Sequence, residues 1–150
     1  MAFNFAKFQE LRAVALSKRK FGRLTVECQL LSEFRSAELG SIDEFLKQHG
    51  FTGSHADLKQ IDRQKAVLHA ARVLSRDLAY GAEMMTSAEA EQIASSFLSF
   101  FEPSNPRFFT NCVKLGDCWA GNPISDSTFD EGVIAINDEA IGILWAQDED

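Results

Sequence analysis

Ten of the chain's 22 acidic residues fall in its last fifty positions, where only Arg107 and Lys114 are basic. Carboxylates at that density suit three kinds of chemistry: holding a cation, working in pairs as acid and base, or presenting an acidic surface to a basic partner. Residues 1–100 carry 13 Lys and Arg against 12 Asp and Glu, whereas residues 101–150 carry 2 against 10, a local net charge of −8. For cation binding, Asp126-Ser127-Thr128-Phe129-Asp130-Glu131-Gly132 lacks the alternating Asp or Asn ligands of a calcium loop. A hydrolytic carboxylate pair needs a set separation across a cleft, which spacing along the chain does not define. The acidic surface is the reading that remains, and no metal ligand or catalytic residue is assigned.

The other reactive side chains argue the same way. Cys28, Cys112 and Cys118 are odd in number and never two residues apart, which speaks against a disulfide framework or a structural zinc site. Asn111, Val113, Asp117 and Trp119 give Cys112 and Cys118 no local base, so a nucleophilic thiol needs one from a distant segment. His49 and His55 flank the turn-rich Gly50-Phe51-Thr52-Gly53-Ser54, and His69 falls inside a helical pattern. A helix C-terminus accounts for His49 and a half-buried helix face for His69. The basic run Ser17-Lys18-Arg19-Lys20-Phe21-Gly22-Arg23 is a solvated helix end or pairs with acidic residues elsewhere in the fold. At a pI near 5.0 the chain is not a nucleic-acid binder. Phosphate-loop, dinucleotide, His-Glu-x-x-His and Gly-x-Ser-x-Gly motifs are all missing, and no cofactor is implied.

Two rhythms organise the elements that must position these residues. Residues 1–102 follow a helical period. Phe5, Phe8, Ala15 and Leu16 mark a helix after Asn4 that ends near the basic run. Leu24, Cys28, Leu31 and Phe34 are spaced as a helix, although Leu24, Val26, Cys28 and Leu30 also alternate as a strand; the helix formers up to Leu39 and the stop at Gly40 favour helix. Ser41-Ile42-Asp43-Glu44 is a capping-box pattern opening a short helix to His49. From Ser54 or His55 a long helix runs to about Tyr80, with Val67, Ala71, Leu74 and Leu78 on its stripe and Leu58, Ile61 and Leu68 widening it. Thr86-Ser87-Ala88-Glu89 is a second capping box, followed by Ile93, Phe97, Phe100 and Phe101 and a stop at Pro103.

Residues 103–150 turn to β-branched and aromatic residues. Arg107–Val113 is one strand, and Val133–Ile136 with Ile141–Trp145 form a hairpin across Asn137-Asp138-Glu139-Ala140. The expected fold is therefore α+β in a single domain, 1–150: four or five N-terminal helices, then a small, mainly antiparallel sheet with a C-terminal hairpin. Thirteen Phe against one Tyr predict a Phe-rich core. No apolar run reaches the roughly 20 residues of a membrane span and the first residues lack a signal-peptide pattern, so a cytoplasmic chain without a membrane partner is expected.

The hairpin brings residues near 130 and 148 to the same end of the sheet. Asp126, Asp130, Glu131, Asp138 and Glu139 then form one acidic surface with Asp148, Glu149 and Asp150, and the expected contact set is Asp126, Asp130, Glu131, Asp148, Glu149 and Asp150 with Trp145 as an aromatic anchor of the kind tight interfaces use. The competing placement has Trp119 and Trp145 in the core and the charged terminus solvated. The segments Thr128-Phe129-Asp130-Glu131-Gly132-Val133-Ile134 and Gly142-Ile143-Leu144-Trp145-Ala146-Gln147-Asp148-Glu149-Asp150 resemble the small acidic immunity proteins with which bacteria neutralise their own toxins. That resemblance implies a non-enzymatic cytosolic protein that occludes a toxin's basic site by one-to-one binding. Its partner is then a basic protein, a toxin domain, with a homodimer as the other association that leftover helix stripes allow. On this reading, reversing Asp148, Glu149 and Asp150 to Lys weakens partner binding and leaves the melting temperature nearly unchanged. The alternatives are a small enzyme using a carboxylate or Cys112/Cys118 in a cleft, and an acidic inhibitor or adaptor of nucleic-acid machinery.

Overall fold

The computed structural model describes residues 2–112 and 122–149. Its elements are α1 (Phe5–Lys18), β1 (Arg23–Leu30), α2 (Leu39–Gln48), β2 (Lys59–Ile61), α3 (Arg63–Ser75), α4 (Ser87–Ser99), β3 (Arg107–Thr110), β4 (Phe129–Ile136) and β5 (Ala140–Asp148). The five strands form one antiparallel sheet in the order β1-β5-β4-β3-β2. The class is α+β, with one correction to the order of elements: two strands, β1 and β2, lie within the part expected to be wholly helical.

Both faces of the sheet are covered. On one face, α1, α3 and α4 pack over Leu24, Val26, Val133, Ala135, Leu144 and Ala146. On the other, α2 and Phe34, Phe51 and Leu58 pack over Ile134, Ile136, Ile141, Ile143 and Trp145. Along β4 and β5, then, small residues face the three helices and large ones face α2. Gly142 shows why: a Cβ there would stand 2.3 Å from the ring of Phe101. Burial on both faces makes the central strands read as almost unbroken apolar runs. Phenylalanine fills the helical layer, where Phe3, Phe8, Phe97, Phe100 and Phe101 form a ring cluster, with Phe8 and Phe100 edge-on at 5.3 Å.

Local chemistry explains most helix starts. The Asn4 side chain accepts from the Lys7 amide and opens α1. Thr86 Oγ1 accepts from Glu89 N at 3.1 Å while Glu89 Oε1 accepts from Thr86 N at 3.2 Å, the expected capping box of α4. Ser41 behaves otherwise. It lies within the first turn of α2, its hydroxyl donates to Glu38 O, and Glu44 accepts instead from the amides of Arg35 and Ser36.

Two further expectations are corrected. The segment 24–30 is strand β1, because Leu24 and Val26 are buried on the helical face while the backbone pairs residue for residue with β5. Arg12 Nε donates to Val26 O at 3.0 Å, so a helix side chain takes up an acceptor of this edge strand. The long helix from Ser54 to Tyr80 is a short 3₁₀ turn, β2 and then α3. Leu58 and Ile61 belong to opposite cores, and Asp62 accepts from Lys65 N at 2.8 Å to start α3 afresh. At the hairpin, Asn137 Oδ1 accepts from the amides of Glu139 and Ala140, both at 2.8 Å, which fixes the turn. Among the described residues no helix is long and apolar enough to cross a membrane.

Candidate functional site

The open end of the β4–β5 hairpin, where Phe129 pairs with Asp148, gathers most of the acidic residues singled out above. β alternation sends neighbouring residues there to opposite faces. Asp130 and Trp145 face the α2 layer, whereas Glu131 and Asp148 face the helices.

Asp130 is 5% exposed and surrounded by neutral donors. Its carboxylate accepts from Ser125 Oγ at 2.6 Å, Asn111 Nδ2 at 2.8 Å, Ser125 N at 2.9 Å, Ile124 N at 3.1 Å and Trp145 Nε1 at 3.3 Å. Burial pushes its pKa up, and these hydrogen bonds only partly offset it. The group ties the 124–128 loop to the sheet. Trp145 is fully buried against Phe51, so its indole is a core side chain and its N–H serves Asp130 rather than a partner.

Glu131 is fully buried and answered by charge. Oε2 meets His69 Nδ1 at 2.9 Å, and Oε1 accepts from Arg72 Nη1, both from α3. A carboxylate that orients an imidazole is one half of an acid–base device, but this imidazole is 3% exposed and lies between helix and sheet. The cluster fastens α3 to β4.

Asp148 is 1% exposed and belongs to a third network. Arg19 Nη2 lies 2.5 Å from both carboxylate oxygens, and Leu78 N donates to Oδ2 at 2.9 Å. The same guanidinium donates from Nε to Phe21 O and from Nη1 to Val73 O, at 2.9 and 2.8 Å. Arg19 thereby joins the ends of α1, α3 and β5. Gly22, at φ +66°, lets the chain pass so close to Asp148 that a Cβ would lie 1.7 Å from Oδ1.

Four of the seven residues expected at a partner surface, Asp130, Glu131, Trp145 and Asp148, are therefore buried and occupied by internal contacts. Reversing Asp148 breaks a buried ion pair, so the triple reversal is now expected to lower the melting temperature. Asp126 and Glu149 are exposed. Glu149 accepts from the Thr128 hydroxyl at 2.5 Å and from Thr128 N at 3.2 Å, which holds its carboxyl below the usual range and fixes it beside the loop that carries Asp126. Asp150, Cys118 and Trp119 lie outside the described residues, as does Val113 at the end of the expected strand.

The sequence reading missed a cavity of about 330 Å³ next to Glu149, lined by Phe21, Gly22, Asp77, Tyr80, Ala82, Asp148 and Glu149. Tyr80 and Phe21 are 74% and 57% exposed. The only signal for it was a lone tyrosine just before Gly81 and a phenylalanine within a basic run.

The remaining candidates have local partners. His49 Nε2 lies 3.1 Å from Gln29 Oε1, with its pKa lowered by burial, and His55 pairs with Asp43 at 2.9 Å. Burial, with Glu27 and Glu33 nearby, pushes the Cys28 thiol up to about 12, so it stays protonated and a weak nucleophile near neutral pH. Cys112 is buried, its amide 3.4 Å from Thr110 Oγ1. Among the described residues no group of three or more His, Cys, Asp or Glu is placed to hold a metal ion. Comparisons of the chain with protein-family models, curated proteins and solved structures found no match.

Proposed function

We propose that this chain is a non-enzymatic binding protein that neutralises a bacterial toxin by docking one-to-one over its basic site. The observation that carries the proposal is that exposed Glu149 shares a cavity with the exposed rings of Tyr80 and Phe21 and is held to the loop that carries exposed Asp126. Exposed aromatic rings beside like-signed charge supply contact area, steering and rejection of wrong partners together. Arg23 and Lys20 are exposed nearby but do not line the cavity, so the acidic character is local to it. Two of the buried carboxylates support the reading indirectly, because Asp130 holds the 124–128 loop and Asp148 the chain segments beside the cavity.

Affinity capture from the source organism's lysate, at low and moderate salt, tests the proposal. Tagged protein should retain one stoichiometric basic protein, less of it as ionic strength rises, and lose it in the Asp126→Lys/Glu149→Lys double variant. Co-expression with the wild type should then relieve the growth inhibition that the captured protein causes. Capture indifferent to both salt and charge reversal, or a captured protein that is harmless to the cell, would overturn the assignment.

A further inference from the structure

Resting on that reading, we infer that the cavity between Phe21, Tyr80, Asp77 and Glu149 is the receptor for an arginine side chain of the partner. The cavity is lined by two aromatic rings and three carboxylates, and at about 330 Å³ it lies at the small end of ligand sites, where one long side chain fits. Two of its three carboxylates, Asp77 and Glu149, are met by backbone amides and a hydroxyl and, among the described residues, by no cation. Arg19 answers Asp148, whereas none of the ion pairs among the described residues includes Asp77 or Glu149. No Lys, Arg or His is among its described lining residues.

The backbone that carries the two rings is held in place. Tyr80 rides on a turn in which Asp77 Oδ2 accepts from Tyr80 N at 2.7 Å, Gly81 N donates to Asp77 O at 2.9 Å and Asp77 N donates to Ala82 O at 2.9 Å. Phe21 is fixed through its carbonyl by Arg19 and through the left-handed Gly22 that follows. The backbone under both rings therefore needs no ordering on binding, and the cost that remains is that of the side chains. A guanidinium is the cation that suits such a site, since it is weakly hydrated, stacks on aromatic faces and still pairs with carboxylates.

The test is a nuclear magnetic resonance titration at low salt with N-acetyl-arginine amide, and with the neutral isostere N-acetyl-citrulline amide as control. Tyr80 is the chain's one tyrosine, so its ring signals are identified without ambiguity. The arginine probe should shift those signals and the amides of Phe21 and Glu149 saturably, about five-fold more tightly than citrulline. Tyr80→Leu and Glu149→Gln should each weaken it by a similar factor. Equal binding of the two probes, or shifts that leave Tyr80 unmoved, would overturn the arginine receptor. Neither outcome bears on toxin neutralisation, which the capture and growth experiments read separately.

Discussion

Asp130 and Glu131 are neighbours on β4 and both are buried, yet they lie in opposite layers and are satisfied by opposite means. Glu131 meets the cationic side chain of Arg72 together with His69, whereas Asp130 meets only hydroxyl, amide and indole dipoles. Charge that looks uniform along the sequence is thus sorted by β alternation into two interior devices, one fastening a helix and one fastening a loop. A third part, at Glu149 and Asp126, stays at the surface. Carboxylate density alone does not show which part faces a partner.

The comparison is broken most severely at Glu131. Glu131→Ala leaves buried His69 without its carboxylate and takes one from half-buried Arg72, and urea denaturation should show a loss of about 3–5 kcal/mol. Asp130→Asn turns an amide N–H₂ towards several donors but strands no cation, so its loss should be smaller, about 1–3 kcal/mol. Asp130 should also make stability depend on pH. With a folded pKa raised above 3.8, Asp130 binds its proton more tightly in the fold than in the unfolded chain. Its contribution therefore falls as pH rises from that value through the folded one, and stability–pH curves of Asp130→Asn should lack that fall.

Two smaller effects sharpen the contrast. Thr86→Ala removes a helix cap at the surface and should cost about 1 kcal/mol in the same denaturation assay. Cys28, with its pKa raised from 9.0 to about 12, should react slowly with iodoacetamide at mildly alkaline pH when folded and rapidly in urea. The stability it contributes is present below the ordinary value and is lost as pH rises towards the folded one.

How legible this was depended on whether a residue's role is local. The Asn4 cap, the Thr86–Glu89 box and the Asn137 turn are short-range hydrogen bonds, and the spacing along the chain announced them. β1 was ambiguous because its apolar residues fit both periods, and only pairing with β5, more than a hundred residues away, decides for strand. The helix expected across 54–80 failed because Leu58 and Ile61 point into different cores, a distinction that one stripe cannot express. At the site, the sequence located the acidic end but not its inside. Nothing in the run Lys18-Arg19-Lys20 marks Arg19 as the buried hub, since Asp148 lies 129 residues away. Tyr80 and Phe21 share a cavity only because Arg19 brings their segments together.

The acidic third divides into carboxylates that hold the fold from inside and carboxylates left at the surface. Asp148 and Glu149, adjacent in sequence and opposite in role, give this division its most direct test: urea denaturation of Asp148→Lys beside Glu149→Lys. Asp148→Lys places a second cation against buried Arg19 and should lose about 3–5 kcal/mol. Glu149→Lys, at the surface, should leave the denaturation midpoint close to that of the wild type. Equal losses, or a larger one at Glu149, would contradict the division.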